Sequence, residues 1–187
     1  MNRRWRTGVW FALLLSLHAC ADLVPKDESS PYYPVPVGSK LILHRDLRIP
    51  ADSARAYLQY GKPVKAPHTT DPYCQFQVRE VLPVEQTIKA DEFVVRKTQM
   101  DEKLISLLTP IKVAALPGFG MGDADDVTLV WYLWLESPRQ PNVLRLICGG
   151  MFDQPYRARR PSITQIREQL GDVATLVIAG GENDRKP

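Results

Sequence analysis

Val127–Glu136 reads VTLVWYLWLE, with no charge before its last residue. Two interleaved sets run through it. Leu129, Trp131, Leu133 and Leu135 fall on one side of an extended chain, and Val130, Tyr132 and Trp134 on the other. Side chains alternate with a period of two along a strand, whereas a helix would gather every third or fourth. The stretch is therefore read as a strand covered on both faces, as in the middle of a sheet or between a core and a partner. Tyr132 and Trp134 have two readings. They pack as core, or they offer rings on which a sugar stacks, which makes them candidate ligand-binding residues.

The turn residues SPRQPN follow, and VLRLICGG returns as a hairpin partner from Val143 to Gly150. Cys148 shares a face there with Leu144 and Leu146. In CQFQVREV, Cys74, Phe76 and Val78 alternate with Gln75, Gln77 and Arg79, so Cys74 also lies on an apolar face. If Cys20 is taken up by lipid, as the N-terminal segment implies, Cys74 and Cys148 are left as an even pair in an oxidising compartment, where a disulfide is the default. Their inward settings on two strands agree with a core bridge. A redox or metal role is the alternative, but the chain has no C-x-x-C and no histidine cluster beside either residue.

Outward from this centre, EFVVRKTQ and ARAYLQYG read as strands, the latter with Ala56, Leu58 and Tyr60 on one face. KLILHRDLRI reads as one strand or two short ones, ended by Pro50. KPVKAPHTTDPY is a loop by its prolines and small polar residues. EKLISLLTPIKVAAL is ambiguous between a short helix and strand pieces, with Pro110 against a continuous helix. Near the C-terminus, Ser162 with Gln165 three residues later forms a capping-box pattern. Ile163, Ile166 and Leu170 then fall on one helical side, Gly171 stops the run, and ATLVIAGG is a final strand. The fold class is mainly β with one C-terminal helix, an antiparallel β-sandwich or partly closed barrel. Residues 39–181 form its single globular domain, and 182–187 a polar tail.

At the other end, Arg3, Arg4 and Arg6 precede an apolar run from Val9 to Leu17, with Ala19 just before Cys20. A basic start, a short apolar centre and a small boundary residue are the parts of a secretory signal over residues 1–19. The run is too short to span a bilayer, which takes roughly 20 apolar residues. Leu17, Ala19 and Cys20 in LHAC resemble the lipobox of bacterial lipoprotein precursors, over the first twenty or so residues only. The resemblance implies cleavage before Cys20, a diacylglycerol on its sulfur and an acyl group on its new amine, hence a membrane partner through acyl chains on Cys20. With Ala21 rather than an aspartate next, it implies the outer membrane, with the domain facing the periplasm. Residues 20–38, with prolines at 25, 31, 34 and 36, read as a lipidated cysteine and an extended linker.

Of the 24 Lys+Arg, three lie in the signal, while none of the 21 Asp+Glu does; the remainder is balanced at 21 against 21. Such a body lacks the broad basic field that nucleic-acid binding uses, so that class is set aside. No cofactor loop is found: the glycine-rich GFGMGDADD leads into a strand, and Asp123, Asp125 and Asp126 would repel phosphate. Those acids are a weak calcium alternative to a solvated turn. His44 and His68 have no G-x-S-x-G or similar nucleophile motif to serve, so surface roles are expected. In YRARRP, Arg157, Arg159 and Arg160 are candidates for clamping an anionic group. The expectation is a non-enzymatic envelope lipoprotein that binds or supports an envelope protein partner. A small-ligand or glycan-binding domain is the alternative, and an envelope hydrolase a third possibility.

Overall fold

The computed structural model describes residues 27–68, 70–104 and 126–180. Ten strands follow in order: β1 Lys40–Leu43, β2 Leu47–Ile49, β3 Arg55–Gln59, β4 Lys62–Val64, β5 Tyr73–Val78, β6 Gln86–Ile88, β7 Asp91–Leu104, β8 Val127–Glu136, β9 Val143–Gly149 and β10 Ala174–Val177. One helix, α1 Ile163–Leu170, precedes β10. Eight strands form an antiparallel sheet in the order β10-β1-β7-β8-β9-β5-β3-β4, curled into a half-barrel, while β2 and β6 pair separately. The mainly β class with one C-terminal helix holds.

The long strand VTLVWYLWLE is central, with β7 on one side and β9 on the other. Its Trp131, Leu133 and Leu135 point to the concave side, where they join Leu41, Phe93, Val95, Phe76, Leu58 and Leu146 in one core. Val130 and Tyr132 point outward and bury with Ile147 on the convex side. Cys74 lies directly opposite Cys148 across β5 and β9, and the two are joined by a disulfide within the core. A bulge between Gln77 and Val78 skips Leu144, so the inward residue beyond Leu146 is Val143 rather than Leu144.

Helix α1 fills the mouth of the half-barrel. The capping box forms: Ser162 Oγ accepts from the Gln165 N–H and Gln165 Oε1 from the Ser162 N–H. The side carrying Ile163, Ile166 and Leu170 is fully buried in the core. At its other end, buried Gln169 receives the Tyr60 N–H on its side chain and the Gly61 N–H on its carbonyl, each at 3.0 Å. The helix thus reaches from the β3–β4 turn to β10, whose Leu176 carbonyl accepts from Arg167 at 3.1 Å. Gly61 and Gly171 meet back to back, and a Cβ on Gly171 would lie 2.5 Å from the Gly61 Cα. With Gly171 at φ 49°, no other residue closes this seam without strain.

Three further expectations change. KPVKAPHTTDPY is not loop throughout: Lys62–Val64 pairs with β3 as an edge strand, where Pro63 has no ladder bond to lose. Tyr60 leaves the face of Ala56 and Leu58, because it takes φ 51° in the turn and stays exposed. The extended linker is, over 27–38, a strap docked on the body. Val35 is 1% exposed, its carbonyl accepts from Thr98 Oγ1 at 2.7 Å, and Tyr33 packs against the core. Glu28 pairs with Arg167, and its carbonyl accepts the Thr164 N–H. Packing therefore begins before Ser39. Residues 1–26 and 181–187 lie outside the described residues, as does nearly all of the ambiguous stretch after Leu104.

Candidate functional site

The convex face of the sheet is where unusual chemistry collects. Directly opposed residues on neighbouring strands share a face. One row across it is Lys97, Trp134, Arg145, Gln77 and Arg55, from β7 to β3, and the next is Gln99, Tyr132, Ile147, Gln75 and Tyr57. A bulge at Arg96 makes the first row possible. Before it Phe93 and Val95 face the core; after it the phase flips, and Lys97, Gln99, Asp101 and Lys103 turn outward.

Arg145 is the hub. Its guanidinium carbon lies 4.1 Å from the Tyr132 ring centre and 4.9 Å from that of Trp134, and its Nε donates to Gln77 Oε1 at 2.8 Å. Lys103 Nζ is 5.6 Å from the Tyr132 centre and Lys97 Nζ 5.8 Å from that of Trp134. Cations over aromatic faces gain about 0.5–2 kcal/mol, more where water is excluded. Burial, then the charges of Arg55 and Arg145, bring the Lys103 ammonium down to about 8. Burial, then Tyr57, push the Tyr73 phenol up to about 12. The acid here is Asp101, held below the usual carboxylate range first by the Glu102 N–H and then by the Tyr132 hydroxyl.

Two buried donors on this face, Gln75 Nε2 and Trp134 Nε1, have no acceptor. Among the described residues Arg55, Lys97, Lys103 and Arg145 make no ion pair with an acid. The face is rich in donors and short of acceptors.

The other anticipated residues are placed differently. Arg157 pairs with Asp153 at 3.2 Å, and Arg159 Nη1 donates to the carbonyls of Tyr156, Arg157 and Ala158. The Arg160 guanidinium lies 5.6 Å over Trp131, away from the convex face. The three arginines do not converge on one point. Asp126 is exposed, while Asp123, Asp125 and Cys20 lie outside the described residues. His44 Nε2 bonds Thr175 Oγ1 at 2.7 Å, and exposed His68 bonds Gln59 through its backbone. Among the described residues no group of three or more His, Cys, Asp or Glu side chains is placed to hold a metal ion.

Of two surface grooves, the first lies on the opposite side of the sheet and the second borders this face. The first, of about 370 Å³, runs between the strap (Tyr32, Val35, Val37) and Thr98, Met100 and Trp131. The other, about 230 Å³ at the β3–β4 edge, is lined by Arg48 and Lys65 and shares Arg55 and Tyr57 with the convex face. Reading the sequence brought out Tyr132 and Trp134 but missed Arg55, Lys97, Lys103 and Arg145. The signal for the β7 lysines was a run of polar residues at odd positions after Val95, out of phase with the strand's start. Comparison with protein-family models, with curated proteins and with solved structures finds no match to this chain.

Proposed function

We propose that the chain is an envelope lipoprotein, held to the outer membrane by acyl chains on Cys20, with a non-enzymatic role. Its half-barrel binds or supports another envelope component through the convex face of β7, β8 and β9. The observation that carries this reading is the Arg145 guanidinium stacked on both Tyr132 and Trp134. Trp, Tyr and Arg are the residues that dominate binding energy at interfaces, because they offer large rigid area with a polar edge. Here they lie outside the main core, at the small cluster of Val130, Tyr132 and Ile147, with the guanidinium held between two rings. The Cys74–Cys148 bridge supports an oxidising compartment, where such bonds persist. The basic start, short apolar run and boundary cysteine support export and anchoring.

The second reading, a small-ligand or glycan-binding domain using the same Tyr132 and Trp134, is favoured by the β3–β4 groove that continues this face through Arg55 and Tyr57. Two variants test the proposal. Cys20→Ser should move the protein from the membrane fraction to the soluble one; unchanged outer-membrane fractionation would overturn the anchor. The double variant W134A/R145A should keep its melting temperature within a few degrees yet lose whatever the wild type retains from detergent-solubilised envelopes. Equal retention by both would overturn the convex face as the binding face.

A further inference from the structure

Hydrogen-bond accounting on the convex face does not close. Arg145 is oriented by two rings and by Gln77, which uses its Nε. Its two terminal nitrogens have no acceptor among the described residues. Its stack on Tyr132 carries the guanidinium toward the row that Tyr132 shares with Ile147 and Gln75, whose buried Nε2 is unpartnered. Lys103 reaches the same Tyr132 ring from β7, and Arg55 stands one strand beyond Gln77 on β3. Asp101 already accepts from the Glu102 N–H, and the neighbouring Tyr132 hydroxyl also favours its charged form. Three like charges brought this close repel one another, and each buried donor without a partner costs about 1–3 kcal/mol. Native proteins leave few such groups unpaired, and a missing ion is one of the standard reasons.

We infer that this face holds a binding site for a phosphate group, with Arg55, Lys103 and Arg145 as its cations and the side-chain N–H groups of Gln75 and Trp134 as neutral donors. A carboxylate would bring one charge and two acceptor oxygens to three cations. A phosphate monoester brings close to two charges and three terminal oxygens, which match the donors better. Tyr57, Tyr132 and Trp134 share this face and would offer rings to a sugar or glycerol carried on the phosphate. The inference rests on the convex face being the binding face and names the chemistry it recognises. The shared chemistry is the phosphate; its source is free phosphate or the headgroup of an envelope lipid or glycolipid.

The two orphan donors are their own reporters. In an amide-proton NMR spectrum of the purified full-length protein at low ionic strength, the Trp134 indole and Gln75 side-chain signals should shift saturably. The probes are inorganic phosphate, glucose 1-phosphate and vesicles containing phosphatidic acid, a monoester, with chloride and vesicles of the diesters phosphatidylglycerol and phosphatidylcholine as controls. Equal response to the first two assigns free phosphate, and a response much stronger with phosphatidic acid vesicles assigns a headgroup. Arg145→Gln and Lys103→Met should each weaken binding about ten- to a hundredfold, the loss expected for one charge-assisted hydrogen bond. Unmoved Gln75 and Trp134 signals with all three probes would overturn the inference, whether or not the variants fold. So would shifts that persist unchanged in both folded variants. If phosphate fails here while W134A/R145A still abolishes retention from envelopes, the phosphate is wrong and the binding face stands. If phosphate binds and retention is unaffected, the site stands and the envelope role falls.

Discussion

Removing the Cys74–Cys148 bridge is the sharpest perturbation the fold allows. The bond joins strands β5 and β9 at directly opposed positions, with a sequence separation of 74 and both residues fully buried. Opening a loop of that length returns about 4–5 kcal/mol of chain entropy to the unfolded state. Because both sulfurs sit in the core, replacement by alanine adds roughly 1 kcal/mol per side chain for lost packing. A single Cys→Ala variant should therefore lose about 5–6 kcal/mol, a large part of the roughly 5–15 kcal/mol of a typical domain. The double variant should be only about 1 kcal/mol worse than either single one, since the bond can be lost once. Urea unfolding followed by fluorescence measures this, and the slope of the transition should rise as the unfolded chain expands. A loss under about 2 kcal/mol, or losses from the two single variants that add in the double, would refute the reasoning.

Deleting residues 27–38 should cost on the order of 3 kcal/mol, or about 6–12 °C in melting temperature, since it uncovers the Val35 site and removes the Glu28–Arg167 pair. A melt unchanged within a couple of degrees would return the strap to the status of a linker. Burial alone would raise the Asp91 carboxyl, but donors from Gln140, Ser137 and Arg139 and the Glu92 N–H outweigh it and hold the group at about 2. Since this lies below its ordinary 3.8, the stability it supplies is present above about pH 4 and lost as pH falls through 2. Asp91→Asn should cost about 2 kcal/mol at neutral pH and flatten the stability profile across that window in acid titrations. Lys103, depressed to about 8 from an ordinary 10.5, runs the opposite way: charging it in the fold is a penalty, full below pH 8 and gone above about 10.5. Lys103→Met should thus stabilise the protein at pH 7 by a few tenths to about 1 kcal/mol, after allowing for partial exposure, and the gain should vanish by pH 11. Equal gains at both pH values would mean packing, not charge, is responsible.

Where one face meets the core, strand periodicity could be read directly. Val127–Glu136 shows both its faces in its own alternation, and the phase of Cys74 with Phe76 pointed inward because no bulge interrupts it before Val78. The α1 signals (Ser162, Gln165, Gly171) are local, so they needed no tertiary knowledge. Elements set by distant partners were not legible. Lys62–Val64 carries a proline and β6 spans three residues, too short for a period to show, whereas β2 is the second of the two short strands that KLILHRDLRI allowed. The strap has no periodicity because few of its side chains, Val35 above all, anchor it, and because it docks through turns at 28–29, 31–32 and 37–38 rather than as a regular element. The arginines of YRARRP are neighbours in sequence but have separate partners in space, whereas Arg55, Lys103 and Arg145 come from three strands and share one face only because β7 changes phase at Arg96.

We propose that the convex face is the surface through which this protein meets an envelope partner. Photo-crosslinking in intact cells tests it most directly, with a benzophenone amino acid placed in turn at exposed Lys97 and Gln99 on that face and at Lys62 on the β4 edge. The proposal predicts a discrete crosslinked species from Lys97 and Gln99, absent from Lys62 and abolished by Arg145→Gln. Crosslinks from Lys62 alone, or none from Lys97 and Gln99 in a correctly folded and exported protein, would contradict it.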